Sequence, residues 1–463
     1  MDTRPTKKPR RLDTHPTEKS RRRSGRSNAP NPTLFVPNEL IAIILSLLSL
    51  KNILQLKCVS KSWNALISDP NFIEKHLKKS SQNPHLTLFW NQHKKGSGFN
   101  MLSFPVHRLL KNLSNHAYSH NFHRLKKRCI VVGSCNGLLC LLFQSLTTTA
   151  TISLNYWLRF WNPATRTRSK KLGFLCEIVP LGGPFHFKFT FGYDASTRTY
   201  KVVGIRAEKN EDEGSWKSLV KVFSLGNNRW RNIQSFNTVP INWYGCHYSD
   251  IRLNDGVHLR GTVNWLTNEF INHSGQFQIV SLDLSTETYK QFLLPSDFDY
   301  VPSFQQPDLR VLMDSLCFSH DSDKTGFVLW HMKEYGVQES WTQLFKISYQ
   351  NLKMHNILDG YQLACIYVTG DMVILANTRN QAFIYNFKEK TIEKIKIRNS
   401  IQWFNHAKDY VESLVSVHWL QSKFLLDVHL FEFDFYSLIL YTCPTVMVTR
   451  LNEFVFIFIF NIR

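Results

Sequence analysis

Two kinds of hydrophobic spacing divide the chain. From Val36, apolar residues crowd at Leu40, Ile41, Ile43, Ile44, Leu45, Leu47 and Leu48, a density that predicts a short helix buried on much of its surface. Ser49 interrupts it. A second helix is expected over Leu50 to Cys58, with Ile53, Leu54 and the Lys57 stem toward the packing surface, and a third over Ser60 to Ile67, with Trp63, Leu66 and Ile67 on one side. Asp69 can then cap a further helix whose first turn takes Pro70, ahead of Phe72, Ile73 and Leu77. Helices this short bury little area, so the module is expected to be weakly stable unless it packs against a partner or the rest of the chain.

Beyond residue 128 the pattern becomes strand after strand. Ile130 to Val132 leads through the turn signal Asn136-Gly137 to Leu138 through Phe143. A unit then recurs: an apolar strand, an Asn or Asp, a Ser/Thr-rich bend and a basic or aromatic restart. It stands at Phe160 to Thr167, Phe191 to Tyr200, Val222 to Trp230, Val280 to Tyr289 and, more faintly, Phe383 to Lys388. The Asn or Asp side chain and the neighbouring hydroxyls can fix each reversal by bonding to nearby backbone. A region of about 300 residues, at roughly 40–50 per four-stranded blade, predicts an all-β propeller of six or so blades. A β-sandwich needs fewer strands than the pattern offers. Trp161, Trp230, Trp265, Trp330 and Trp341 are assigned to packing between sheets or blades.

Charge adds a tail to this outline. Of a formal net charge of +21, residues 1–27 carry ten basic groups against three acidic ones, a balance of +7 that leaves +14 elsewhere. With almost no large apolar residue, the segment 1–34 is expected to be a disordered basic tail. Its two clusters, Lys7 to Arg11 and Arg21 to Arg23, suit nuclear import, so nucleus and cytoplasm are both expected locations. The remaining divisions are a helical domain over 35–80, a linker and opening of the β domain over 81–128, the propeller over 129–423 and an atypical hydrophobic end over 424–463. The last run, Phe454 to Phe460, is far short of the roughly 20 residues that span a bilayer, so no membrane partner is expected. The final segment is read either as a closing strand or as an atypical end.

Nine cysteines are scattered without companion histidines at zinc spacing, and the histidines between residues 85 and 123 are no better placed. No metal or cofactor is therefore expected. Nothing opens the chain as a secretory signal, so reduced and mostly buried thiols are expected.

The stretch 36–77 resembles the F-box of the plant F-box and kelch-like proteins. The resemblance rests on Pro37, Glu39 and Leu40, on Leu54 and Leu56 to Val59, on Ser60 to Trp63, and on Leu66 to Pro70 with Phe72. Further landmarks follow in the β region: Ser134 to Leu139, Trp161 to Thr165, Phe191 to Asp194 with Tyr200 to Val203, Gly261 to Leu266, Ile279 to Leu284, and Tyr410 with Glu412 to Leu414. The resemblance implies a small all-α module that binds a Skp-type adaptor and through it a cullin, followed by a kelch-like propeller that presents a protein target. It implies adaptor contact at Pro37, Leu40, Ile44 and Leu54, with Val59 and Trp63 bracing the helices. Two positions depart from the pattern: Ser49 stands where proline is common, and Leu47 where a basic residue is common.

A receptor of this kind supplies proximity rather than chemistry. Consistently, the chain has no phosphate-binding loop, zinc-protease helix or nucleophile elbow, which argues against an independent enzyme. The tail motivates an alternative, a nuclear interaction or scaffold protein outside ligase assembly, with weak salt-sensitive nucleic-acid affinity. No zinc-finger or RNA-reader signature supports specific nucleic-acid binding. For the target, Trp243, Tyr244 and His247 are candidate loop contacts, and the target itself is unknown.

Overall fold

The computed structural model describes residues 37–417, apart from 93–97, 111–121, 126, 128, 149–151, 179–186, 210–214, 242–255, 269–276, 299–306, 323–324, 353–362, 378–380 and 396–406, together with a strand pair between 446 and 459. Four helices come first: α1 (Asn38–Ser46), α2 (Leu50–Leu56), α3 (Lys61–Ser68) and α4 (Pro70–Ser80). Their boundaries follow local capping chemistry. Ser49, Ser60 and Asp69 are the N-caps of α2, α3 and α4, and each side chain accepts a hydrogen bond from a first-turn amide. Pro70 takes the first position of α4, where its missing N–H costs nothing.

The β region is a ring of six antiparallel blades. Blade 1 holds β1 (His85–Gln92), β2 (Gly98–Pro105) and β3 (Phe122–Leu125), with a short helix α5 (Val106–Leu110) after β2. Blade 2 holds β4 (Ile130–Cys135), β5 (Leu138–Thr148) and β6 (Ile152–Asn162), with β7 (Thr167–Arg168) and β8 (Leu172–Ile178) sharing its outer position. Blade 3 runs β9 (Lys188–Asp194), β10 (Thr199–Lys209), β11 (Trp216–Ser224) and β12 (Arg229–Phe236). Blade 4 has β13 (Val239–Pro240), β14 (Val257–Leu259), β15 (Thr262–Asn268), β16 (Phe277–Asp283) and β17 (Tyr289–Leu293). Blade 5 runs β18 (Asp308–Leu312), β19 (Ser315–Ser322), β20 (Gly326–Met332) and β21 (Trp341–Ser348), and blade 6 runs β22 (Leu363–Thr369), β23 (Met372–Asn377), β24 (Ala382–Asn386) and β25 (Thr391–Lys394).

The ring closes by a strand that follows blade 6 in the chain. β26 (Lys408–Tyr410) pairs with β1, His85 opposite Tyr410, and supplies the innermost strand of blade 1. Residues 81–128 thus contain three strands of the first blade. The final segment contributes β27 (Val446–Leu451) and β28 (Phe454–Ile459), which pair with each other as a separate two-stranded sheet.

The core lies between blades. Six apolar clusters each join neighbouring blades: Phe99 and Leu125 meet Leu141 and Phe143, Phe160 meets Phe191, Ile205 meets Trp265, Leu266 meets Phe318, Ile347 meets Val373, and Ile374 meets Leu86. The expected inter-blade tryptophans lie there: Trp161, Trp265 and Trp330 buried, Trp230 and Trp341 partly buried. Five of the described cysteines, 129, 135, 140, 317 and 365, are buried, whereas Cys58 and Cys176 are exposed, against the expectation of mostly buried thiols at those two positions.

The recurring unit in the sequence is one turn used repeatedly. Asn162, Asp194, Asp283 and Asn386 each accept bonds from the amides two and three residues on. The residue four positions after each, Arg166, Arg198, Glu287 and Lys390, has positive φ. The side chain closes the turn that the left-handed residue ends. These turns join first to second or third to fourth strands, so they share one face of the ring.

Candidate functional site

The first helix differs from the expectation of broad burial. Leu45 is buried, but Leu40, Ile43, Ile44 and Leu47 are 51%, 55%, 58% and 64% exposed. Their spacing of three, one and three residues puts them on one face of α1. The opposite face supplies Ile41, Ala42, Leu45 and Leu48 to a small core with Leu50, Ile53, Ile67 and Phe72. A stripe of four large aliphatic side chains in water is uncommon on a monomer and marks a surface built to be covered.

The expected contact residues fall in two places. Pro37, Leu40 and Ile44 are exposed on or beside the α1 stripe, while Leu54 is partly buried against the helical core. Trp63 is also partly buried there. Val59, expected to brace the helices, is instead 64% exposed in the turn between α2 and the Ser60 cap of α3. Leu47, where a basic residue is common in the resembled family, extends the apolar stripe. Ser49 has φ −63° and ψ 148°, a conformation proline also takes, and it caps α2 with its hydroxyl. His76 is buried under this module, its Nε2 facing the Leu48 carbonyl at 3.4 Å, and burial lowers its pKa.

The module sits on the face of the short turns. Its core is completed by Leu414, 3% exposed, and by Ala164 of the blade 2 turn. Three separated landmarks of the sequence meet at this seat. Asn162 donates through Nδ2 to the carbonyls of Ser413 and Val415, each at 2.9 Å, while its Oδ1 holds the turn at Ala164 and Thr165. Tyr410 Oη accepts from the Ala164 amide at 3.3 Å. Gly137, at φ +77°, leaves the space that Ser413 fills, and a Cβ there would collide with that side chain. The same residues therefore close the ring and seat the helices. Sequence reading marked all three landmarks but not their convergence, which depends on pairings about 250 residues apart.

Trp243, Tyr244 and His247 lie outside the described residues. On either side of 242–255, β13 pairs with Asn268 and Thr267 of β15, the Ile241 amide donates to Leu266 O at 3.0 Å, and β14 pairs with β15 from Asn264 to Thr262. Gly256, at φ +81°, re-enters against Trp265 and Thr190, with no room for a Cβ. Among the described residues no group of three His, Cys, Asp or Glu side chains is placed to hold a metal.

Two family models match the chain: the F-box associated beta propeller domain over residues 97–417 and the F-box domain over 34–75. The chain belongs to the F-box proteins with an F-box associated β-propeller. An F-box/kelch-repeat protein of Arabidopsis thaliana is 24% identical over 391 residues, covering 82% of this chain and 95% of that protein. The F-box protein CPR1 of the same plant is 25% identical over 392 residues, covering 82% and 88%. Among solved structures, the β-propeller domain of the Trilobed protease from Pyrococcus furiosus is 9% identical, covers 72% of this chain and 98% of that one, and superposes with a TM-score of 0.35, too loose a likeness to inform function. F-box domains typically bind Skp-type adaptors, and F-box proteins with propellers are generally noncatalytic substrate receptors.

Proposed function

We propose that this F-box protein is the target-recognition subunit of a Skp-cullin-F-box ubiquitin ligase. The observation that carries the reading is the α1 stripe of Leu40, Ile43, Ile44 and Leu47, exposed on a chain whose family is typically joined to an adaptor. A Skp-type adaptor covers the stripe and brings a cullin, and the bound conjugating enzyme supplies the chemistry. Leu54 supports the contact from the helical core beneath it. The target binds the propeller on the face opposite the helices, because the turn face is occupied at blade 2 by the module. Trp243, Tyr244 and His247 are proposed target contacts, and nucleus and cytoplasm the proposed locations.

The test is co-purification of the full chain from plant cells with its associated proteins, followed by mass spectrometry of ubiquitylated proteins with and without the receptor. Recovery of adaptor and cullin, with a set of modified proteins that depends on the receptor, is the expected result. Adaptor without cullin assigns the protein to scaffolding instead.

A further inference from the structure

The outer strands of the blades differ in what they offer to solvent. β12 exposes Arg229, Arg231, Asn232 and Gln234; β21 exposes Gln343 and Lys346; β25 exposes Glu393 and Lys394. β17 exposes Leu293, but beside Lys290 and Gln291. Charged side chains on an outer strand discourage pairing by another chain.

β8 lacks this protection. Phe174 is 68% exposed and Ile178 65%, with exposed Cys176 between them. Its one charged residue, Glu177, turns inward to Arg206 at 3.1 Å and Lys221 at 2.9 Å. The register places Cys176 opposite Asn155 and Ile178 opposite Ser153, so the exposed side chains share the face of Trp157 and Phe143, toward blade 1. Among the described residues, the outer strand of blade 1, β3, has four residues and pairs with Phe99 to Leu102 of β2. β8, among the described residues, pairs only with β6; the Gly173 amide donates to Asn228 Oδ1 and its carbonyl accepts from Trp230 Nε1, each at 2.9 Å, and from Phe174 to Ile178 no further strand pairs with its outer edge.

The charges at the strand's beginning select the occupant. Arg168, Lys170 and Lys171 are exposed just before β8, and the Lys171 ammonium lies 4.6 Å over the Trp157 ring on the apolar face. We propose that β8 receives an extended acidic-apolar peptide of a partner protein as an added antiparallel strand. Alternate apolar side chains of the peptide cover Phe174 and Ile178, and its acidic carboxyl end meets Arg168, Lys170 and Lys171. The antiparallel order of the blade fixes that direction, because the peptide's carboxyl end then lies beside the amino end of β8. A second copy of this chain is disfavoured by its own net charge of +21. The inference does not depend on α1, since the edge is open whether or not an adaptor is bound.

The test uses fluorescence anisotropy with the full chain and a short labelled peptide of alternating valine and threonine ending in glutamates. Binding is expected, at least about tenfold weaker for the same peptide ending in lysines, and abolished by methylating the peptide amides that face β8. Phe174→Asp with Ile178→Asp weakens it at least about tenfold without lowering the melting temperature, because both side chains are exposed. Lys170→Glu with Lys171→Glu removes the preference between the two peptides. Failure of the glutamate peptide to bind, or equal binding by wild type and the Phe174/Ile178 variant, overturns the proposal. So does a concentration-dependent dimer that this variant abolishes, which assigns the edge to a second copy, or binding that begins only when residues 446–459 are removed, which assigns it to the chain's own hairpin.

Discussion

The helical module and the propeller use the same aliphatic residues in opposite ways. In the propeller, Leu, Ile, Val and Phe are turned into six inter-blade clusters that close on one another. In α1, four such residues face out while only Leu45 is buried. The propeller completes its burial with its own sheets, whereas the module must complete it with something else. It borrows Leu414 and Ala164 from the propeller on one side and leaves α1 open on the other. Apolar density thus measures self-sufficiency only when the partner surface is in the same chain.

The seat is where the two regions can be separated. Asn162→Ala removes the buried donor to Ser413 O and Val415 O and is expected to cost about 3 kcal/mol of propeller stability, read by denaturant unfolding, since both carbonyls lose a partner. If ring closure and helix seating are one device, hydrogen exchange in α1 to α4 accelerates in the same variant. Unchanged exchange there makes the two regions independent.

Some of this was legible in the residues and some was not. Local chemistry read directly: Asp69 caps and Pro70 opens α4, and Asn162, Asp194, Asp283 and Asn386 each close their own turn, because those effects act over a few residues. Burial did not, because Leu40 and Leu45 are the same residue with opposite fates, decided by which face of α1 meets Ile53 and Phe72. Val59 is exposed for a different reason, its place in the turn between α2 and α3. The closing strand at Lys408–Tyr410 carries too few residues to announce itself, and its pairing with His85 joins the two ends of the ring.

That junction also gives a pH signature. Burial, aided by His107, pushes the His85 imidazole down to about 4 from its ordinary 6.5. The unfolded chain binds the proton more readily, so this group's contribution to stability is full above pH 6.5 and falls as pH drops toward about 4. The nearby Asp409 carboxyl, pushed up to about 6 by burial that outweighs the opposing pull of Arg310 and Lys408, acts oppositely: its contribution grows as pH falls from about 6 toward 3.8. The difference between wild type and His85→Phe isolates the imidazole. Thermal unfolding should show the variant gaining on wild type below pH 6.5, and a constant difference contradicts the assignment.

The smallest effect belongs to Ser49. Ser49→Ala loses the cap on α2 and is expected to cost the helical module about 1 kcal/mol. Ser49→Pro costs less, because the backbone at φ −63° already suits proline and the substitution restricts the unfolded chain. Local exchange protection of α2 ranks the three, and a proline variant less protected than alanine breaks the account of this departure.

The central claim is that the outward face of α1 is an adaptor surface. Calorimetric titration of a purified Skp-type adaptor into the full chain and into Leu40→Asp/Ile44→Asp measures it directly. The account predicts tight binding by the wild type and a loss of about 100-fold or more in the variant, with propeller melting unchanged, because two charges are forced into an apolar contact. Equal affinities for the two proteins, or no binding by the wild type, contradict it.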